Sequence, residues 1–293
     1  MGISSTPRRL FVSFSGGETS AYMTVLILTV FRHLWDEVVV LFSNTGRENE
    51  ATLRFVRLCD QVLGFKTIWV EAVVNHGVRK SCGHRVVDFD SASRNGEPFE
   101  EVIKKYGIPN VKFPHCTREL KLNPMLSYVA SIGWNKGTYD TAIGIRADEP
   151  SRRDKNYVEK RIVYLLMDMV PTTKTQVNAH WAAQPFRLEL TGYQGNCKNC
   201  FKKSMLKLLT IADEDPTVFD WTTEMGERYG HVGKETNHRI KGYRRVFFRN
   251  NLSSIDLINL HELSRDDLTA VVDDSLAVPV VDGCSTESCE VTF

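Results

Sequence analysis

The sequence predicts an α/β protein: a five-stranded parallel sheet with helices on both faces, a Rossmann-like arrangement, joined to a smaller, mainly helical, cysteine-containing C-terminal part. Three observations carry that expectation. Near-continuous apolar runs of strand length recur at residues 10–14, 37–42 and 67–74, separated by segments of helical length. A glycine turn, Ser15-Gly16-Gly17-Glu18-Thr19-Ser20, ends the first run and opens into a long apolar segment at 21–31. Beyond Pro185 the pattern becomes helical and paired cysteines enter, so the expected division is residues 1–185 for the sheet domain and 186–293 for the helical one.

Strand, glycine turn and helix in that order suit an anion cradle. Paired glycines let the backbone approach a phosphate, and the N–H groups of the first helical turn hold it with the positive end of the helix dipole. Ser15, Thr19 and Ser20 add hydroxyl donors. An ordinary capped turn would use the same residue types, but the full Ser-Gly-Gly-x-x-Ser spacing after a strand favours the phosphate site.

The second strand ends at Ser43-Asn44-Thr45-Gly46-Arg47, a helix should follow over 49–63, and the third strand comes next. Parallel sheets bind ligands outside the carboxyl ends of their strands, so Asn44, Thr45 and Gly46 are candidate nucleotide contacts beside the loop. Asn44 taken alone would be a turn residue. Residues 75–115 are polar and irregular, with one helical piece near 99–106, which suits a lid or binding loop. Cys82 and His84 lie there as metal ligands or as loop residues.

Pro114 and the pattern after it put Cys116 at a helix start. There the dipole, with Arg118 and Lys121 nearby, favours a thiolate; a helix-capping cysteine beside a solvated basic face is the alternative. A fourth strand over 139–145 leads into Arg146, placed to neutralise phosphate, and Asp148, placed to hold Mg²⁺. A fifth strand over 161–167 and a helix over 171–181 complete the sheet domain.

Seven cysteines, at 59, 82, 116, 197, 200, 284 and 289, are an odd number in a chain whose opening residues lack an apolar signal core, which argues against a disulfide framework. Cys59 fits the core. Cys197-x-x-Cys200 has metal-ligand spacing without the strand that precedes a thioredoxin-like pair. Cys197, Cys200, Cys284 and Cys289 would suit a four-thiolate zinc site on spacing, whereas a set including Cys116 would suit an iron–sulfur cluster. The strip Arg239, Lys241, Tyr243, Arg244, Arg245, Phe247, Phe248 and Arg249 fits either a nucleic-acid backbone or a solvated face with buried aromatics.

A net charge of +1 gives no global pull toward nucleic acid or anionic membrane. The longest apolar run is too short to span a bilayer, so no membrane partner is expected and the location expected is cytoplasmic. Met1-Gly2 with Ser5 carries only a faint likeness to a myristoylation signal.

Several of these stretches resemble one family. Ser15 to Ser20 resembles the PP-loop of the ATP pyrophosphatases and of the phosphoadenylylsulfate (PAPS) reductase-like proteins, in the form found in phages and prophages. Asn44-Thr45-Gly46 stands where that family usually has Asp-Thr-Gly. Cys116…Lys121…Pro124 is similar to the Cys-x-x-x-x-Lys-x-x-Pro segment of sulfonucleotide reductases and DNA phosphorothioation pyrophosphatases, with Thr117 where cluster-bearing adenylylsulfate reductases have a second cysteine. Gly144-Ile-Arg146-Ala-Asp148 resembles the family's Gly-x-Arg-x-(Asp/Glu) segment. One departure stands out. Glu18 replaces the usual Lys or Arg, and a carboxylate facing a triphosphate repels it unless it points away or holds Mg²⁺.

The resemblance implies an adenine nucleotide ligand (ATP or PAPS), Mg²⁺, a 4Fe–4S cluster drawn from Cys116, Cys197, Cys200, Cys284 and Cys289, and a sulfur-donor protein as partner. Structural zinc remains the alternative to the cluster. The implied activity is adenylation of a substrate with pyrophosphate release, followed by sulfur transfer, with Cys116, Arg146 and Asp148 catalytic. A sulfonucleotide reductase is the second expectation, and a non-catalytic nucleotide-binding regulator, supported by Glu18, the third.

Overall fold

The computed structural model describes residues 7–195, 197–232 and 244–263; Arg239, Cys284 and Cys289 lie outside the described residues. Strand β1 (Arg9–Ser13) runs through the glycine turn into helix α1 (Glu18–Thr29). Strand β2 (Glu37–Asn44), helix α2 (Glu50–Leu63) and strand β3 (Ile68–Val73) repeat the unit. Strand β4 (Gly83–Val87) and helix α3 (Glu97–Tyr106) follow. A wide π-helical turn (Thr117–Leu122) then leads into α4 (Asn123–Ser131) and strand β5 (Asp140–Ile143). Strand β6 (Ile162–Val163) and helix α5 (Lys174–Ala182) complete the α/β part.

The sheet order is β4-β3-β2-β1-β5-β6. Val12 of β1 aligns with Val40 on one side and Ala142 on the other, so β1 is central. Side chains alternate along it. Leu10, Val12 and Phe14 join Phe42, α1, α2 and Trp181 of α5 on one face. Phe11 joins Leu41, Val70 and Met125 and Val129 of α4 on the other. The chain reverses its winding between β1 and β5, and that crevice is where such sheets take ligands.

Two expectations need correction. The sheet has six strands rather than five: β4 pairs antiparallel with β3, through Val70↔Val86 and Glu71↔Arg85, within the stretch read as irregular loop. Its pattern Gly-His-Arg-Val-Val hides it, because as a half-exposed edge strand it needs only one covered face and tolerates charge. The fifth parallel strand is two residues long rather than seven; after Val163 the chain tightens into a π-helical turn, Leu165–Met169.

Beyond residue 185, helices α6 (Met205–Glu214), α7 (Asp220–Tyr229) and α8 (Ser254–Leu263) do not bury their apolar faces only against each other. Leu208, Phe219, Met225, Phe248 and Leu257 form one core with Phe99, Val102 and Ile103 of α3 and Leu120 of the π turn. That shared core brings the Cys197–Cys200 loop to the carboxyl edge of the sheet. Among the described residues no helix is long and apolar enough to cross a membrane.

Candidate functional site

The glycine turn is held by its own atoms. Ser20 Oγ donates to Gly17 O (3.0 Å), accepts from Ser15 N (3.2 Å) and meets Ser15 Oγ at 2.8 Å. Gly16 has φ +78°, and a Cβ there would come within 2.7 Å of Thr52 and 3.0 Å of Phe42, so backbone and packing both require glycine. Gly17 is the N-cap of α1, extended at φ −102°.

Glu18 does not face a phosphate. Its side chain is almost completely buried and paired with Arg187, Nε to Oε1 at 3.1 Å and Nη2 to Oε2 at 3.2 Å, while Trp181 Nε1 donates to its backbone carbonyl at 2.9 Å. The reversed charge at this position therefore ties α1 to the chain beyond α5.

At the neighbouring strand end, Arg146 is buried and reaches the loop: its Nη1 donates to Thr19 Oγ1 at 3.2 Å. Asp148 orients it, accepting from Arg146 Nε at 2.8 Å and from Lys174 N at 3.1 Å. Burial pushes the Asp148 carboxyl up, but the Lys174 N–H and the Arg146 guanidinium outweigh it and hold the group below the usual carboxylate range. Each Asp148 oxygen accepts one hydrogen bond, which makes the carboxylate a positioning group for Arg146.

The β2 turn divides its three candidates. Both Asn44 amide hydrogens are taken, by Glu71 Oε1 (2.6 Å) and Ser93 O (2.8 Å), and its Oδ1 accepts from Gly46 N. Asn44 builds the turn. Gly46 sits at φ +77° with Pro98 and Gly96 against the position of a Cβ. Thr45 alone of the three lines the cavity beside the turn, its Oγ1 donating to Glu48 Oε1 at 3.1 Å and lying 3.5 Å from Cys197 Sγ.

Cys116, Cys197 and Cys200 line that same cavity. They reach it from two directions. Cys116 lies in the helical turn that precedes the π segment, which Ser43 fastens to the end of β2 through a 2.7 Å bond to Leu120 O. Cys197 forms an isolated antiparallel bridge with Glu48, and Lys198 N donates to Arg47 O at 3.1 Å. Phe99, Trp221 and Phe247 close the apolar side. Thr117 Oγ1, also in the wall, accepts from Lys202 Nζ at 3.2 Å. Three thiols in one cavity suit a thiophilic metal group by donor chemistry. Among the described residues, however, no three His, Cys, Asp or Glu side chains gather tightly enough to hold a metal ion. The remaining predicted ligands, Cys284 and Cys289, lie outside the described residues.

The structure does not unite the expected catalytic trio. Arg146 and Asp148 belong to the loop over β1, and Cys116 to the cavity over β2, whose lining contains no residue of the glycine turn. Cys82 is buried, and burial with the adjacent Glu119 pushes its thiol up to about 12. Of the described arginines of the basic strip, Arg245 is buried and donates to Tyr106 O at 3.0 Å, Arg249 is half-buried and donates to Lys203 O at 3.0 Å, and Arg244 stays exposed while donating to Gly226 O. Sequence reasoning passed over Arg47, which lines the cavity with its guanidinium 4.8 Å above Trp221. A cation set between a glycine turn and an apolar helix was the signal for it.

Fold and loop together define an α/β protein with a mostly parallel sheet and a glycine turn at its switch point. No protein-family model matches the chain. It is 32% identical over 288 residues to the "Uncharacterized nin region protein ORF290" of Escherichia phage lambda, covering 96% of this chain and 94% of that protein, and it belongs to that protein's family. It is also 28% identical over 182 residues to "Uncharacterized protein MJ0066" of Methanocaldococcus jannaschii, a match spanning 59% of this chain and 29% of that longer protein.

Proposed function

We propose that the chain is a PP-loop enzyme of the PAPS reductase-like kind, which binds ATP at residues 15–20 and activates its substrate by adenylation. A substrate oxygen attacks the α-phosphorus, pyrophosphate leaves, and a sulfur nucleophile then displaces AMP. The observation that carries this reading is the orientation of Glu18. Paired with Arg187, it leaves the cradle to the helix N-terminus, the Ser15 and Thr19 hydroxyls and the Arg146 guanidinium on Thr19. Arg146 would stabilise charge developing on the phosphates, and Asp148 would keep it aimed.

Cys116, Cys197 and Cys200 are the residues that would hold a 4Fe–4S cluster, with a further ligand from elsewhere in the chain. When bound, such a cluster supplies an iron site able to carry sulfur. The protein's own part is to keep the thiols in a cavity walled by Phe99, Trp221 and Phe247, which limits water.

Nucleotide turnover tests the proposal. Pyrophosphate and AMP should form from ATP, and Arg146→Gln should slow this by 10²-fold or so, the loss of one preorganised charge donor. Sulfite released from PAPS instead would move the protein to the sulfonucleotide reductases. Neither product, with ATP still bound, would leave a nucleotide-binding regulator.

A further inference from the structure

The cavity over β2 holds a buried cation whose donors the surrounding loop leaves mostly unused. Arg47 is 8% exposed, yet among the described residues it forms no ion pair. Its guanidinium carbon lies over the Trp221 ring, 4.8 Å from its centre, its Nη2 makes only a 3.4 Å contact with Val218 O, and its Nε has no partner. The other charged residue in the lining, Lys121, is also a cation, but it is answered by Glu48 at 3.4 Å from behind the wall. No carboxylate lines the space. Burial disfavours the Arg47 charge and the nearby Cys197 sulfur only partly offsets this, so an anion joining the cavity would stabilise it. The Thr45 and Thr117 hydroxyls line the same space.

We propose that Arg47 forms an oxyanion-binding subsite in this cavity, taking a tetrahedral oxyanion of the sulfate or phosphate class. Arginine suits the task. Its planar fork presents parallel donors to two oxygens while the stacked face fixes its orientation, which a lysine cannot reproduce. The subsite is separate from the glycine turn, whose residues are absent from the cavity wall, and it does not rest on the adenylation reading. It would place an anionic group of a substrate next to three thiols.

Calorimetric titration of the full chain with inorganic sulfate and, separately, inorganic phosphate tests this without nucleotide present. One of the two should bind at millimolar concentration or tighter, and the better one identifies the source of the oxyanion. Arg47→Gln should weaken it at least tenfold, and Arg47→Lys should recover part of the loss. Circular-dichroism melts matching the wild type should show that the variants are folded, and ATP affinity should stay within twofold. Loss of ATP binding by the wild type would sink the adenylation reading alone. Equal oxyanion binding by Arg47→Gln, or none by the wild type, overturns the subsite. A change in thiol alkylation rate without oxyanion binding would make Arg47 the counter-charge of the thiolates, which also overturns it.

Discussion

The glycine turn over β1 is closed by bonds within six consecutive residues, chiefly those of Ser20 Oγ to Ser15 and Gly17. The cavity over β2 is assembled from the Thr45–Arg47 turn, the helix of Cys116, the Cys197–Cys200 loop and Trp221 of α7. Both sit at the carboxyl edge of one sheet. A contiguous turn survives as long as its local backbone does. A cavity with walls from distant segments depends on the core that docks them, here the one joining α3 to α6, α7 and α8. The first should therefore fail by local strain, and the second by loosening of the helices.

The largest effect should come from restoring a basic residue to the loop. Glu18→Lys puts a cation in a site 1% exposed, facing Arg187, and should cost about 3–5 kcal/mol by chemical denaturation while giving no gain in ATP affinity. Tighter ATP binding in a stable variant would show that residue 18 faces the phosphates. Next comes Gly16→Val. The left-handed backbone and the overlap with Thr52 and Phe42 should together cost about 2–4 kcal/mol and abolish ATP binding. Gly17→Ala, in extended backbone, should change stability by less than about 1 kcal/mol, so the two glycines separate the strained position from the cap.

A smaller effect concerns the cavity. Trp221→Leu removes the platform beneath Arg47 and should cost about 1–2 kcal/mol, with the circular-dichroism melt lowered while ATP affinity holds. A parallel fall in ATP affinity would mean that the two regions are coupled. The smallest is acidic. Asp148 has its folded pKa held below the unfolded value, so its contribution is complete above about 3.9 and is lost as pH falls through the folded pKa. Being half-exposed, it should contribute under about 1 kcal/mol, and Asp148→Asn should flatten the melting profile only below pH 4.

Sequence and structure agree where a single stretch carries the information. The order strand, Gly-Gly turn and helix is written in consecutive residues, and so is the turn that brings Arg146 beside it. What escaped depends on distant partners. Asn44 looks like a ligand until Glu71, 27 positions on, takes its amide. Arg47 draws no notice until Trp221, far along the chain, sets its ring against the guanidinium. Glu18 looks repulsive until Arg187 arrives from beyond α5. Strand β4 escaped for a different reason: a half-exposed edge strand shows none of the continuous apolarity that marks the central strands.

The π turn between Cys116 and α4 has a genetic consequence. A π turn accommodates one residue more than the α turn it replaces. Losing a single codon from the stretch encoding Thr117–Leu122 would let the helix tighten to α geometry without disturbing the Met125 and Val129 contacts with the sheet. Everything upstream would keep its bearing about the helix axis, since one residue fewer at the α step of roughly 100° turns as far as the wider π segment does. Cys116 would therefore stay at the cavity, and a descendant with one codon fewer would keep the same fold, the glycine turn and all three thiols.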